Sequence, residues 1–193
     1  MKPLLITLDF INDITHPDGK IPSCADFILK HDTITQANQA IALARKCKHP
    51  VIHVKVGFSD SYIECPLNSP LFGKAEQYQA LQLNTWGTEF HEVLDTQACD
   101  TTLIKHRVSA LYATALETIL SANQIDTVIL CGVSTNMAVE TLARELHDRD
   151  YRVIILENAC AAADSATHEA ALKNLCKIAT MLPSSDYSET LKI

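Results

Sequence analysis

The sequence predicts an α/β fold: a three-layer α/β/α sandwich built on a six-stranded, mostly parallel, Rossmann-like sheet. Short apolar runs alternate with amphipathic stretches along the chain. Several runs are apolar on both faces, as the central strands of a parallel sheet are. A repeated βα order also calls for right-handed crossovers, which put helices on both faces of the sheet. Residues 1–193 show no internal repeat, low-complexity tract or interdomain linker, so they read as one domain.

Pro3-Leu4-Leu5-Ile6-Thr7-Leu8 is the first strand and ends at Asp9. The polar stretch with Pro17, Gly19 and Pro22 reads as loop. Ile34, Ala37, Ala40, Ile41 and Ala44 recur at helical spacing, and His49-Pro50 stops that helix. The β-branched run Val51–Val56 is the second strand. Residues 57–98 are broken by Pro66, Pro70, Gly73 and Gly87 and keep no apolar period. They read as an excursion with short helices, and long loops of this kind are often functional. Thr101–Lys105 is a third strand, 112–122 a helix and 127–131 a fourth strand. Gly132-Val133-Ser134 is a tight turn, and Thr135 or Asn136 caps a helix running to about residue 148. A fifth strand follows at 151–156, a helix at 165–176 and a sixth strand within 177–182, with a short helix in the tail.

Composition narrows the function. A chain that is 47% hydrophobic and 20% charged buries a substantial core and is not disordered. No window approaches the ~18 apolar residues of a membrane span, and the first dozen residues lack the apolar core of a signal peptide. With a net charge of −7, a pI near 5.5 and no basic run, nucleic acid is not an expected partner. Seven cysteines at irregular spacing, without any C-x-x-C, read as reduced thiols of a cytoplasmic protein.

Open parallel sheets bind ligands outside the carboxyl ends of their strands. Those ends deliver Asp9, Lys105, the Gly132 turn with a helix N-terminus behind it, and Glu157 with Asn158. Each alone has an ordinary reading. Asp9 could be a solvated strand end, Lys105 a surface lysine beside His106 and Arg107, and Ser134-Thr135-Asn136 a helix cap. Together they outline a cleft with a carboxylate, an ammonium and free backbone N–H groups.

Three segments carry a family resemblance: residues 4–13, ending Leu8-Asp9-Phe10-Ile11-Asn12-Asp13; residues 104–112, opening Ile104-Lys105-His106-Arg107; and residues 128–141, containing Cys131-Gly132-Val133-Ser134-Thr135-Asn136-Met137-Ala138. On these the chain resembles the isochorismatase-like hydrolases of the cysteine hydrolase superfamily. The resemblance implies a six-stranded parallel sheet, a homodimer or higher homo-oligomer, and a small-molecule substrate. It also implies a cis peptide between Val133 and Ser134, and a catalytic Asp, Lys and Cys. The Asp matches Asp9 and the Lys matches Lys105. The Cys position, six residues after Gly132, holds Ala138. A methyl group cannot attack a carbonyl. Cys131 and Cys160 read as core thiols, and Cys65, in the irregular segment, is the one other thiol worth testing.

The resemblance therefore implies a cysteine-free hydrolase, cleaving a vinyl ether or a C–N bond, with Asp9 as acid–base group and Lys105 as its partner. The substrate is expected to be a small, anionic metabolite, with Arg107, Lys55 and Arg144 as candidate anion partners. Phe10, Phe58, Trp86, Tyr112, Val133 and Ser134 are candidate pocket residues, Trp86 having the alternative of anchoring the 57–98 segment. No cofactor is expected. No metal site is expected either, since the second strand exits through Lys55-Val56-Gly57-Phe58-Ser59 without ligands and the eight histidines are scattered. The alternative is a catalytically inactive member that binds a small molecule or serves a regulatory role. A dinucleotide-binding fold is disfavoured, because the first strand is not followed by G-x-G-x-x-G and the chain has only five glycines.

Overall fold

The structure is a computed structural model and describes residues 1–188. Its centre is an all-parallel sheet of six strands in the order β3-β2-β1-β4-β5-β6. The strands are β1 (Pro3–Leu8), β2 (Val51–Val56), β3 (Thr101–Lys105), β4 (Thr127–Val133), β5 (Arg152–Ala161) and β6 (Thr180–Leu182). The helices are α1 (Asn12–Thr15), α2 (Ala25–His31), α3 (Thr33–Lys46), α4 (Ala75–Tyr78), α5 (Leu116–Ala122), α6 (Glu140–His147) and α7 (Ser165–Leu175). No helix among the described residues is long and apolar enough to cross a membrane.

Position in the sheet explains each strand's composition. β1 and β4 lie in the middle and every residue of both is buried, which is why they read as unbroken apolar runs. β3 is an edge strand, with Thr101, Thr102 and Ile104 exposed and Leu103 and Lys105 buried. On α3 the buried residues are Thr33 and the apolar set Ile34, Ala37, Ala40, Ile41 and Ala44 at helical spacing. α7 starts at Asp164, whose carboxylate accepts the Thr167 N–H at 2.7 Å.

Several boundaries differ from the sequence reading. The stretch read as loop before residue 32 contains α1 and α2. Helix α5 begins at Leu116 rather than 112, because Ser109 Oγ accepts the N–H groups of Leu111 and Tyr112 and Ala113 turns at φ 56°. β4 runs through Gly132 to Val133. Gly132 sits at φ 134°, and a side chain there would collide with the Leu8 carbonyl oxygen, so the neighbouring central strand demands glycine. β5 continues past Glu157 and Asn158 to Ala161, after an irregularity in its pairing with β4 between Leu130 and Gly132. Thr135 and Asn136 do not cap: the chain after Ser134 makes a π-helical turn, Thr135–Val139, and then enters α6. The Thr135 hydroxyl instead lies 2.8 Å from His168 Nδ1 on α7. A short 3-10 turn follows β6 at Ser184–Asp186, and the rest of the expected tail helix lies outside the described residues.

The excursion between β2 and β3 folds back over the carboxyl ends of the strands. It contains α4 and a 3-10 turn at Trp86–Thr88. Buried Asp13, just after β1, anchors it by accepting the Leu81 N–H at 2.6 Å and, from the neighbouring loop, the Lys20 N–H at 3.2 Å. Phe58, Tyr62, Phe72, Ala80 and Leu81 form a second apolar cluster beneath it.

Candidate active site

β1 is flanked by β2 on one side and β4 on the other, so the chain order reverses at β1. A crevice at the carboxyl ends is expected at that switch. Asp9, immediately after β1, turns at φ 55° and leans over the end of β2, where its Oδ1 accepts the Val56 N–H at 2.7 Å. Val56 is in turn in register with Lys105 at the end of β3. The long lysine side chain crosses the end of β2 and brings Nζ to 2.8 Å from Asp9 Oδ2. The same ammonium donates to the Val108 carbonyl at 2.8 Å. Asp9 and Lys105 are 4% and 1% exposed, an ion pair taken almost wholly out of water.

Burial pushes the Asp9 carboxyl above its ordinary value. It outweighs the opposing pull of the Lys105 ammonium and the hydrogen bonds from Lys105 and Val56. The proton is thus held more tightly than on a solvated aspartate.

A cavity of about 100 Å³ opens on this pair. Val133, Ser134 and Ala138 line it from the β4 side, and the Val133–Ser134 peptide is cis, as the resemblance implied. So Asp9, Lys105, Val133, Ser134 and Ala138, far apart in sequence, share one cavity. The remaining walls were not found in the sequence. Ile14, Ile21 and Ser23 come from the segment after β1, Leu71, Phe72 and Leu81 from the excursion, and Val56, Val108 and Met137 from the strand ends and the π-turn. The excursion residues have no periodic signal, and only the anchoring of that segment at Asp13 turns them inward.

Other expected pocket residues lie elsewhere. Phe10 is fully buried in the main core, not in the cavity wall. Phe58 is fully buried behind it, edge-on to Phe72 at 5.6 Å. Trp86 is 46% exposed, packs edge-on against His16 and accepts Asn12 Nδ2 on its carbonyl, so it anchors the excursion. Arg107 and Tyr112 line a neighbouring cavity with Cys65. The Arg107 guanidinium is held there by the Glu64 and His106 carbonyls, at 2.8 and 2.6 Å. Lys55 donates to the Thr88 carbonyl at 2.9 Å, and Arg144 pairs with Glu140 one helical turn away. Asn158 is spent on Gln36 and Ser184, and Glu157 faces a separate cavity beside His168. None of these lines the Asp9 cavity.

Among the described residues no cysteine lines the cavity. Cys24 is the nearest in kind, with Sγ 3.3 Å from Ser134 Oγ. Burial pushes its thiol up, the Asp9 charge adds to that, and the hydrogen bonds from Ser134 and Ser23 do not reverse it. That setting disfavours the thiolate, the reactive form of the group. Cys65 donates to the Phe72 carbonyl at 3.3 Å, and its thiol too is raised by burial. Cys131 and Cys160 are fully buried in β4 and β5, with Cys160 pushed up to about 12 by burial. No group of three or more His, Cys, Asp or Glu among the described residues is placed to hold a metal ion. His53 is engaged by Thr7 and Asp100.

Comparison with known proteins agrees with this architecture. The chain matches the isochorismatase domain family over residues 3–186. It is 30% identical over 161 residues to the uncharacterized isochorismatase family protein YecD of Escherichia coli O157:H7, covering 82% of each chain. It is 28% identical over 171 residues to the maleamate amidohydrolase of Pseudomonas putida, covering 89% of this chain and 78% of that one. The isochorismatase family protein of Desulfovibrio vulgaris superposes with a TM-score of 0.87 at 20% identity, over 100% of this chain and 99% of that one. With its sheet order, its strand-end residues and a family match over nearly its whole length, the chain belongs to the isochorismatase family.

Proposed function

We propose that the protein is a hydrolase of small molecules that works without a thiol nucleophile, Asp9 transferring the proton and Lys105 holding Asp9 in place. One observation carries this reading: the buried Asp9–Lys105 pair forms the floor of a cavity whose wall at residue 138 is a methyl group. Asp9 retains its proton more tightly than a solvated carboxylate, which suits a general acid. In a vinyl ether the carboxyl proton goes to the terminal carbon of the double bond. Water adds to the carbon bearing the ether oxygen and returns one proton to Asp9, and the C–O bond then breaks as the added hydroxyl becomes a carbonyl and passes its proton to the leaving oxygen. One water is consumed per bond broken.

A vinyl ether suits this chemistry better than an amide. Protonation of its double bond gives an oxygen-stabilised cation that takes up water directly. An amide carbonyl demands a stronger nucleophile, such as the thiol that residue 138 does not supply. Asp9→Asn is expected to lower turnover by about 10²–10⁴-fold. Because the acid form is the active one, turnover falls as pH rises through the Asp9 pKa, at a midpoint above 3.8. A rate that instead falls as pH drops would make Asp9 a base, and an unaffected Asp9→Asn would end the proposal.

A second reading is a protein that binds a small molecule in this cavity without turning it over. The Ala138 methyl favours it. Amide hydrolysis that appears only in Ala138→Cys would support that reading.

A further inference from the structure

Arg107 differs from the other arginines in what holds it. Arg45, Arg144 and Arg149 each meet a carboxylate, whereas among the described residues Arg107 meets none. Its Nη1 donates to the Glu64 and His106 carbonyls, at 2.8 and 2.6 Å. Those bonds use both Nη1 protons and leave Nε–H and the Nη2 protons without a protein partner among the described residues. Nε and Nη2 form the edge of a guanidinium whose parallel N–H groups match the two oxygens of a carboxylate. The carbonyls fix the orientation of that edge but bring no charge to cancel the cation. The acids nearby are spent elsewhere. The Glu64 carboxylate accepts the Ser59 N–H and hydroxyl at 3.1 and 2.8 Å, and the Glu145 carboxylate accepts the Ser109 hydroxyl.

Arg107 borders two hollows. One is the cavity of about 220 Å³ that it shares with Cys65 and His106. The other is an open trough of about 470 Å³, walled also by Phe72, Val108, Tyr112 and Glu145. Phe72 and Val108 line the Asp9 cavity as well, so trough and cavity adjoin there. Arg107 follows Lys105 by two residues, which keeps their Cα atoms within ~7 Å of each other. The Asp9 cavity itself, at about 100 Å³, is small. An apolar cavity of about 150 Å³ takes up no more than benzene, so any larger substrate extends out of it.

We infer that Arg107 determines specificity: the substrate places its cleavable group in the Asp9 cavity and a carboxylate, carried on a flexible linker, on the Nε–Nη2 edge of Arg107. This rests on the hydrolase reading of the Asp9 site and adds the class of substrate, an acid whose charge is remote from the bond that breaks. The partly exposed trough lets that carboxylate keep some of its water while it gains charge-assisted hydrogen bonds. Anchoring at a distance orients the reacting end and leaves the Asp9 proton undisturbed.

The test uses vinyl ethers of increasing length: vinyloxyacetate, 4-vinyloxybutanoate and 6-vinyloxyhexanoate, each against its own primary amide, an uncharged isostere. Dissociation constants are measured by ligand-detected NMR titration at constant ionic strength, and the amide-to-acid ratio is read for each pair. The longer acids are expected to bind at least about fivefold more tightly than their amides. Arg107→Gln should bring that ratio to about one, and Arg107→Lys, which keeps the charge without the fork, to an intermediate value. Glu145→Gln, which removes a negative charge from the trough wall, should raise it about twofold and serves if Arg107→Gln does not fold. Equal binding of acids and amides, binding of no probe, or a ratio unchanged in a folded Arg107→Gln would overturn the inference. So would an equally large preference for vinyloxyacetate, which would place the carboxylate at Lys105 instead. Turnover is scored separately, as acetaldehyde released by the wild type and by Asp9→Asn. Asp9-dependent release without any preference for acids removes the Arg107 site and leaves the hydrolase. An Arg107-dependent preference without release in the wild type does the reverse.

Discussion

The two ends of β3 carry charge clusters of related chemistry in different surroundings. At the carboxyl end, Lys105 meets Asp9 and the pair faces a cavity. At the amino end, Asp100 accepts from Arg45 and from His53 Nε2 at 3.1 Å, and His53 Nδ1 is 2.8 Å from the Thr7 hydroxyl. Hydroxyl, imidazole and carboxylate in a row is the arrangement that activates nucleophiles in many hydrolases. Yet Thr7 and His53 are each 1% exposed and sit inside the sheet as register partners on β1 and β2. The comparison teaches that residue types and hydrogen bonds alone do not make a site. The amino-end cluster ties three strands together, whereas the carboxyl-end cluster has room for a reactant beside it.

The widest separation between the two clusters should appear in turnover. While Asp9→Asn removes about 10²–10⁴-fold, His53→Ala is expected to leave kcat within about twofold and to lower unfolding free energy by about 1–3 kcal/mol in urea titration. Comparable losses of kcat in both variants, with both folded, would erase the distinction. Acid sharpens it further. Burial raises the Asp100 carboxyl, but hydrogen bonds from Arg45, the Gln97 N–H and His53 outweigh that and bring it below its ordinary value. Its folded-state pKa is therefore depressed. The stability it contributes is fully present above 3.8 and is lost as pH falls through the lower folded value. The stability gap between wild type and Asp100→Asn should close as denaturant titrations are taken from pH 5 towards pH 3, and a gap that widens there would contradict this. The smallest effect belongs to Cys24→Ala. Although the thiol adjoins Ser134, the change should cost about 1 kcal/mol and less than about twofold in turnover. A loss of turnover as large as that of Asp9→Asn would make Cys24 the nucleophile.

The site was legible where it coincides with strand ends. Asp9 and Lys105 close apolar runs in the sequence, and a parallel sheet must bring such ends to one edge. Residue 138 was placed by the family resemblance, which puts the catalytic cysteine six residues after Gly132. The walls were not legible. Leu71, Phe72 and Leu81 belong to a stretch without period, aimed by a handful of contacts at Asp13 and Phe58. The long cations misled for a related reason. Arg107 stands two residues from Lys105, yet where a guanidinium goes depends on which carbonyls reach it, and here they are those of Glu64 and His106.

The sequence by itself determined the alternating strands and helices, the parallel sheet, the family and the presence of alanine at position 138. These depend on local apolar period and on residue identity. Only the tertiary structure decided that, of the candidate cations, Lys105 reaches the cavity, paired with Asp9 among largely apolar walls. That outcome depends on long side chains choosing among partners distant in the chain, and nothing local encodes that choice.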